Sequence, residues 1–420
     1  MSRTLLKLGV VLLSALPLMG QGKRLWVVRA PGEMVEYDLA TFAVKSRVKV
    51  PAEAVKSPQN LAVNHLGQML FATTVSLPLS ESDAEISHKV WFWNGQTAVT
   101  VDQGVTRETA KQGSNLSITE SAPQPYLTSD GTHLFWFASR ARRLQREEID
   151  LSTTNTWEGW RTDLSGGTRE ELTSGKLPEC RCTTGSCEES CAYGDVWVPQ
   201  SGIEKFFLLT HLVTGKTQAE YKASFVYKQE AGGWAATPLG SPLQRILDAA
   251  SGGDGIVEAI PDAGCCGWFN RSNDQTLLVD HGNTLTIFDE RAAYNNPDYD
   301  VSFYTSNARL SPELGSVAMT IVATAAPNRP IQLADEGQAN PEESQRIRKT
   351  LAELPAVEIK SLQQSPHPLS CLPHATVVGW ISEKEILVIE NHLLAAYDIA
   401  TGKLRKSSIR ADDAARVFLR

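Results

Sequence analysis

Short apolar runs recur along this 420-residue chain, and they constrain its fold more than any other feature. Alternating or continuous apolar runs bounded by turn residues are typical of β-strands, and long helical periodicity is almost absent. The runs that predict strands are Leu25–Val28, Val90–Trp93, Leu134–Phe137, Phe206–Leu209, Thr284–Phe288 and Ile386–Ile389. The sequence therefore predicts an all-β protein.

A polar turn leads into an apolar strand six times, which indicates a repeat. These turns are Asn64–Gly67, Ser129–Gly131, Gln200–Gly202, Ser272–Asp274, Ser311–Glu313 and Ser382–Lys384. Their spacing is near or above the ~40–50 residues of a four-stranded propeller blade, which leaves room for inserted loops. We therefore expect a closed β-propeller of seven blades, with six or eight as alternatives because the spacing is uneven.

Two matching segments lie near the two ends of the chain. Met34–Thr41 matches Leu394–Thr401, and each contains an aspartate after a tyrosine, Asp38 and Asp398. We expect each segment to be a strand that runs into a turn, where the aspartate accepts hydrogen bonds from backbone N–H groups. Residues Ala415–Leu419 are predicted to form the strand that completes the first blade, so that the first and last blades are neighbours.

The turns and the C-terminal segment carry a family resemblance. Ser129-Asp130-Gly131 and Ser311-Pro312-Glu313 before apolar strands, together with Tyr397–Lys403, resemble the degenerate repeats of TolB-like and WD-repeat-like bacterial β-propellers. The resemblance covers most of residues 24–410 and implies a propeller fold. It implies no particular activity, because propellers include binding scaffolds, hydrolases and quinone-dependent dehydrogenases.

Residues 1–20 predict a secretory signal peptide. Arg3 and Lys7 precede the apolar run Leu8–Leu16, and small Gly20 precedes the predicted cleavage point. The run is well short of the ~20 residues that span a bilayer, so we expect cleavage, with an uncleaved anchor as the alternative. The expected product is secreted or periplasmic, and residues 21–420 form a single propeller domain.

The charge balance and the absence of known catalytic motifs limit the classes of function that this sequence can have. The chain carries 40 basic and 48 acidic residues and no long basic run, which excludes a nucleic acid as its main partner. The sequence contains no Gly-x-Ser-x-Gly, no His-Glu-x-x-His and no phosphate-cradling glycine loop. The leading hypothesis is an exported, monomeric binding or scaffolding protein that takes a protein or small-molecule ligand and has no predicted cofactor.

Two helices are predicted as insertions between strands. The first covers residues 340–354, with Asn340 as N-cap, Pro341 at the first helical position and Pro355 after its end. The second starts at Ser241-Pro242, runs through Ile246 and Leu247, and ends at Gly252.

Four of the seven cysteines lie in a loop at residues 179–192: Cys180, Cys182, Cys187 and Cys191. Disulfides are favoured here, because an exported chain meets an oxidising compartment. Zinc is the alternative, but structural zinc sites usually use Cys-x2–4-Cys pairs, and the first pair here is Cys-x-Cys. The odd total leaves at least one thiol without a partner in the chain.

The adjacent Cys265 and Cys266, with Asp262 and Trp268 beside them, are the candidate ligand or redox site. A disulfide between neighbours closes a strained ring, and strained disulfides tend to be labile or functional. Such a bond on a propeller resembles the one that covers the quinone in pyrroloquinoline-quinone dehydrogenases, which implies a quinone-dependent or redox enzyme as the alternative function. That family has a longer chain and regular Trp-containing repeats, which this sequence lacks. Pairing of each cysteine with a distant one, such as Cys371, is the other possibility.

A weak calcium candidate lies at Asn296, Asp298 and Asp300, where oxygen ligands alternate. Val301 stands where an EF-hand loop needs glycine, and Asn307 stands in place of the closing glutamate. A solvated turn before a strand is therefore favoured over a metal site.

Overall fold

The computed structural model describes residues 23–56, 60–110, 115–120, 124–127, 133–145, 151–163, 169–176, 180–182, 191–197, 205–214, 218–230, 233–238, 245–249, 256–260, 275–280, 283–289, 303–323, 341–363 and 366–420. Strands dominate this part of the chain, and the helices found in it are α1 (Ala52–Lys56) and α2 (Pro341–Glu353). The all-β class predicted from the sequence is confirmed. None of these helices is long and apolar enough to cross a membrane.

The strands of the first half of the chain are β1 (Leu25–Arg29), β2 (Glu33–Tyr37), β3 (Val44–Lys49), β4 (Leu61–Val63), β5 (Met69–Pro78), β6 (Asp83–Trp93), β7 (Ala98–Thr109), β8 (Asn115–Glu120), β9 (Gln124–Leu127), β10 (His133–Gln145), β11 (Leu151–Asp163), β12 (Glu170–Lys176), β13 (Cys180–Cys182), β14 (Cys191–Trp197) and β15 (Lys205–Thr214). Those of the second half are β16 (Gln218–Glu230), β17 (Gly233–Pro238), β18 (Arg245–Ala249), β19 (Ile256–Ile260), β20 (Gln275–Asp280), β21 (Asn283–Asp289), β22 (Phe303–Leu310), β23 (Ser316–Ala323), β24 (Ala356–Ser361), β25 (His367–Leu372), β26 (Ala375–Ser382), β27 (Glu385–Glu390), β28 (Leu393–Asp398), β29 (Lys403–Arg410) and β30 (Ala414–Leu419). All six runs that predict strands lie within these elements.

These strands form seven antiparallel sheets within the described residues. Five sheets each contain four consecutive strands: β4–β7, β14–β17, β18–β21, β22–β25 and β26–β29. One sheet has six strands, in the order β12-β11-β10-β8, with β9 paired to β10 and β13 paired to β11. The remaining sheet has the order β3-β2-β1-β30. An array of mainly four-stranded antiparallel sheets is propeller-like.

The sheet β3-β2-β1-β30 joins segments from the two ends of the chain. Trp26 pairs with Phe418 and Val27 pairs with Val417, and the Arg420 backbone N–H donates to the Arg24 carbonyl at 2.9 Å. The strand predicted at Ala415–Leu419 is therefore present and pairs with the first strand.

Apolar side chains pack between consecutive sheets. One cluster joins sheet β3-β2-β1-β30 to sheet β4–β7 and includes Trp26, Met69, Phe71 and Phe418. Further clusters join β4–β7 to β10, β18–β21 to β22–β25, β22–β25 to β26–β29, and β26–β29 to sheet β3-β2-β1-β30. Helix α2 adds buried Ile347 to the cluster between β18–β21 and β22–β25. The core is thus a series of layers between sheets.

The first strands of several sheets end close to one another. Strand β4 contacts β9, β18 contacts β22, β22 contacts β26, and β26 contacts β30. The Leu310 N–H donates to Asp248 at 2.8 Å, and the Trp380 Nε1–H donates to the Arg309 carbonyl at 2.7 Å, so the C-terminal ends of β18, β22 and β26 meet. We call this region the inner-strand end.

The two matching aspartate turns occupy equivalent positions in neighbouring sheets, between the β2–β3 and β28–β29 strand pairs. Asp38 Oδ1 accepts the Thr41 N–H at 2.9 Å, and Asp398 Oδ1 accepts the Thr401 N–H at 2.7 Å. Hydrogen bonds from Lys45 and Thr41 lower the pKa of Asp38 to about 2. The predicted aspartate-to-backbone turns are confirmed.

The helix predicted from Ser241 to Gly252 is wrong, because residues 245–249 form strand β18. The adjacent apolar pair Ile246 and Leu247 fits one face of a helix, and both side chains are buried. A register shift against β19 between Ile246 and Asp248 is typical of a β-bulge. This shift lets two successive residues be buried in one strand.

Replacing Gly67 by alanine should destabilise the fold by about 2 kcal/mol, because the residue combines a left-handed backbone with a close approach. Its φ is +79°, and an added Cβ would lie 2.8 Å from the ring of buried Trp26. Gly402 is the matched control, since its φ is +66° but the nearest atom to an added Cβ is 3.9 Å away. Urea denaturation should show a larger loss for Gly67→Ala than for Gly402→Ala. Equal losses would mean that the Trp26 contact is unimportant.

Candidate functional site

The candidate site predicted at Cys265 and Cys266 lies outside the described residues, in the segment between β19 and β20, together with Asp262 and Trp268. The calcium candidate Asn296, Asp298 and Asp300 and the cysteine Cys187 also lie outside them. Cys180 and Cys182 bound strand β13, and Cys191 begins β14. The disulfide and metal assignments at these positions therefore stay predictions.

Cys371 on β25 is an exposed residue with a free thiol. Desolvation raises the pKa of this thiol, and the carboxylates of Glu358 and Glu353 raise it further. A raised pKa makes a thiol less nucleophilic at neutral pH. Cys371 is therefore a poor candidate for a catalytic nucleophile.

The inner-strand end brings together three arginines, Arg309 on β22, Arg416 on β30 and Arg420 just after it; we call them the arginine cluster. Arg416 and Arg420 lie on either side of Phe418, with their guanidinium carbons 5.3 and 5.6 Å from the ring centroid. Phe418 is 3% exposed and belongs to the apolar layer against sheet β4–β7. The buried ring thus supports two cations by cation–π contact.

Hydrogen bonds to backbone carbonyl groups orient all three guanidinium groups. Arg416 Nη1 donates to the Leu61 carbonyl at 3.1 Å, and Arg420 Nε donates to the Val63 carbonyl at 2.8 Å. Arg309 Nη1 donates to the carbonyls of Ala308 at 2.7 Å and Leu247 at 3.3 Å. These bonds fix the orientation of each guanidinium group.

Tyr126 on β9 and Asp248 on β18 lie within electrostatic range of the arginine cluster. Burial raises the pKa of Tyr126 well above its usual value, although the three arginines oppose the increase. Burial also lowers the pKa of Arg420 to about 10, and Arg416 and Arg309 add to this decrease. The three positive charges therefore repel one another in a partly desolvated place.

The arginine cluster is partly accessible to solvent. Its three arginines, Tyr126 and Asp248 keep part of their surface accessible, although protein atoms surround Tyr126 and Arg420 closely enough to desolvate them. Arg309 Nε is buried and has no hydrogen-bond partner among the described residues. Arg309 Nε is therefore an unsatisfied donor in the protein interior.

Lys23 and Glu383 extend the charged surface at the inner-strand end. Lys23 donates its ammonium N–H to the Trp380 carbonyl, and Glu383 Oε1 accepts the Glu313 N–H at 2.5 Å. The charges of Glu383 and Asp248 both act on Lys23. Asp248 thus acts on both Lys23 and Tyr126.

A second charged group lies between sheet β4–β7 and the six-stranded sheet. Asp102 on β7 lies 3.3 Å from His88 Nε2, accepts the Trp136 Nε1–H at 3.2 Å, and pairs with Arg169 at 2.5 Å. The guanidinium carbon of Arg169 lies 3.7 Å from the Trp160 ring centroid. The His88 and Asp102 side chains are only 12% and 8% exposed, so this group serves to hold the two sheets together.

The arginine cluster was not predicted from the sequence. Its residues come from positions far apart in the chain, and the C-terminal segment was assigned only as an apolar strand. The missed signal is Arg416-x-Phe418-x-Arg420, in which two arginines share one face of a strand with a buried aromatic residue. Charged residues at the core-facing positions of a strand are costly, which makes this pattern informative.

Within the described residues, no group of three or more His, Cys, Asp or Glu side chains is placed to hold a metal ion. No protein-family model matches the sequence. The search of curated proteins also finds no match.

Solved structures show a distant similarity. Porphyromonas gingivalis dipeptidyl peptidase 4 is 10% identical at a TM-score of 0.43, covering 92% of this chain and 58% of the peptidase. Pyrococcus horikoshii acylaminoacyl peptidase is 11% identical at 0.32, covering 82% of this chain and 51% of the peptidase. Dihydro-heme d1 dehydrogenase NirN in complex with DHE is 10% identical at 0.35, covering 94% of this chain and 74% of the dehydrogenase. At these TM-scores the similarity carries no inference about activity.

Proposed function

We propose that this protein is an exported, monomeric binding protein, built as a closed seven-bladed β-propeller, whose ligand occupies the arginine cluster. The seven sheets and the pairing of β1 with β30 support the blade count and the closure. The predicted signal peptide supports export. The observation that carries the binding site is the gathering of Arg309, Arg416 and Arg420 beside Tyr126, where all four residues are partly accessible to solvent.

An anionic ligand explains why the fold keeps these like charges together. Desolvating a charge costs free energy, and like charges brought close together add to that cost, as Arg309 and Arg416 do at Arg420. Clefts lined by one sign of charge raise the local concentration of ions of the opposite sign. The arginine cluster is therefore suited to bind an anion.

The chemistry of the cluster favours recognition over catalysis. Guanidinium groups stay protonated at neutral pH and cannot act as general bases, and the raised pKa keeps Tyr126 protonated as well. Guanidinium groups can therefore hold an anion without exchanging protons. The enzyme hypothesis based on Cys265 and Cys266 gains no support from the arginine cluster.

A thermal-shift screen of the mature protein against matched anionic, neutral and cationic small molecules tests this proposal. We expect only anions to raise the melting temperature, and the shift should disappear in Arg309→Gln. The matched control is Arg107→Gln, because Arg107 forms an exposed pair with Glu85 and does not belong to the arginine cluster, so its loss should leave the shift intact. Three results would contradict the proposed function. They are stabilisation by a neutral molecule, an equal anion-induced shift of the melting temperature in Arg309→Gln, and a near-ultraviolet absorbance band from a bound quinone.

A further inference from the structure

We propose that one face of strands β5, β6 and β7 carries a second binding site, which takes a small aromatic carboxylate. A cavity of about 520 Å³ lies on this face, and we call it the β5–β7 cavity. It shares no residue with the arginine cluster, so this site goes beyond the proposed function and does not rest on it. Three observations support the site: the pairing of the three strands, the apolar surface on this face and the position of Lys89 beside Trp91.

Strand pairing gathers the lining side chains on one face of the sheet. They form two rows across the strands, one of Thr73, Lys89 and Gln103 and the other of Val75, Ser87 and Val105. Residues two apart on a strand point to the same side, so Trp91 lies on this face as well. The register of β6 against β7 shifts between Val90 and Trp91, which is typical of a β-bulge. A bulge bends the sheet locally, which accounts for a concave surface beside Trp91.

The opposite face of the same strands packs against the six-stranded sheet. His88 and Gly104 lie between the two rows and also line the cavity, but His88 Nε2 lies 3.3 Å from Asp102, in the group that holds the two sheets together. The face that carries Lys89 is therefore distinct from the face that the fold uses for this contact.

The β5–β7 cavity offers apolar surface that the fold does not bury. Val75 and Val105 are exposed, the latter by 68%, and exposed Leu77 follows Val75 on the same face. Trp91 is partly exposed, and its ring stacks on the ring of buried Phe71 at a centroid distance of 5.2 Å. A ligand with an apolar body would remove these side chains from water, which favours binding.

Lys89 gives the cavity one positive charge. Its ammonium nitrogen lies 5.2 Å from the Trp91 ring centroid, and Lys89 has no ion pair in the part of the chain that the structure describes. Glu85 and Arg107, the next charged residues on this face, pair with each other at 2.5 Å. The cavity thus has one cation for a ligand to neutralise, which favours a monoanion.

The order of polar and apolar side chains favours an aromatic carboxylate. Thr73 and Gln103 flank Lys89 and have side chains that can donate hydrogen bonds to a carboxylate, whereas Val75 and Val105 lie in the next row. A ligand that fits both rows carries its charge at one end and an apolar group at the other. A rigid ring keeps this shape without the loss of rotational freedom that a flexible chain would suffer on binding.

Isothermal titration of the purified protein with 2-naphthoate, its neutral isostere 2-naphthamide, and octanoate tests this site. We expect 2-naphthoate to bind at least about tenfold more tightly than either of the others, because only it combines the charge with a rigid ring. Lys89→Met should weaken 2-naphthoate binding by about tenfold and leave 2-naphthamide binding unchanged. The matched control is Lys45→Met, because Lys45 is exposed and pairs with Asp38 in another sheet, so its loss should change neither affinity.

Val105→Glu provides a second variant if Lys89→Met does not fold, since exposed positions tolerate substitution. Its carboxylate should repel 2-naphthoate and weaken binding by about tenfold, with an unchanged far-ultraviolet circular dichroism spectrum. Arg309→Gln should bind 2-naphthoate as tightly as the wild type, and succinate, which has no apolar ring, should not bind at this cavity, so failure here is distinguishable from failure at the arginine cluster. Absent 2-naphthoate binding, equal affinity for 2-naphthamide, tighter binding of octanoate, or binding that neither Lys89→Met nor Val105→Glu weakens would overturn the inference.

Discussion

Deleting residues 411–420 should abolish cooperative unfolding of the whole protein. The deletion removes strand β30, which pairs with β1 along its length, and with it Phe418, which is buried in the layer between two sheets. The loss of the Phe418 side chain alone should cost about 3–5 kcal/mol, against a total stability of about 5–15 kcal/mol for a typical domain. Circular dichroism during heating should show a broad, non-cooperative transition.

Two point variants separate the packing contribution of β30 from the deletion itself. Phe418→Ala should lower the free energy of unfolding by about 3–5 kcal/mol, whereas Arg410→Gln should change it by less than about 0.5 kcal/mol. Arg410 is a suitable control because its pairs with Asp412 and Asp413 are exposed. A deleted chain that melts at the wild-type temperature would show that β30 does not complete the fold.

Replacing Asp102 by alanine should destabilise the protein by about 3 kcal/mol, because removing one partner leaves other buried polar groups without theirs. Trp136 Nε1 and His88 would lose their acceptor, and both side chains are nearly buried. Arg169 would lose less, since 41% of its side chain is exposed. Urea denaturation monitored by tryptophan fluorescence measures the change.

The pH dependence of stability gives an independent test of Asp102. Burial opposes its ionisation, but the hydrogen bond from His88 and the charge of Arg169 together hold the pKa of Asp102 below its usual value. In the unfolded chain the Asp102 carboxyl titrates at about pH 4. The stabilisation that its ionised form gives the folded protein is therefore present above that pH, and it is lost as the pH falls through the pKa of Asp102 in the folded protein. Asp102→Asn should therefore flatten the stability curve at acidic pH.

Glu85→Gln is the control for both measurements at Asp102. Glu85 lies in the same sheet and pairs with Arg107, whose side chain is 66% exposed, so its loss should cost less than about 1 kcal/mol. If Asp102→Ala and Glu85→Gln cost the same, the contacts around Asp102 do not hold the two sheets together.

The strands and turns could be predicted because they depend on local sequence. The described turns at Asn64–Gly67, Ser311–Glu313 and Ser382–Lys384 each connect the first and second strands of a sheet. Ser272–Asp274 instead precedes β20, which is the third strand of its sheet. Because this turn is not equivalent to the others, the predicted repeat spacing is more uneven than the spacing of the sheets along the chain.

The candidate site could not be predicted because its parts meet only through the arrangement of whole sheets. Arg309 and Tyr126 carry no local motif, and the Arg416-x-Phe418-x-Arg420 pattern does not reveal which residues it meets. The assignment at Ile246 and Leu247 was wrong for a related reason. Pairing with β19 and a bulge decide that segment, and its own periodicity does not reveal either.

The contacts of Arg416 with Leu61 and of Arg420 with Val63 span 355 and 357 positions of the chain. Such long-range contacts are slow to form, because the entropy of closing a long loop must be overcome before they contribute any stability. The arginine cluster can be complete only after the intervening sheets have been synthesised and folded. A nascent chain would therefore lack the complete cluster, so binding of the proposed ligand would report completed folding.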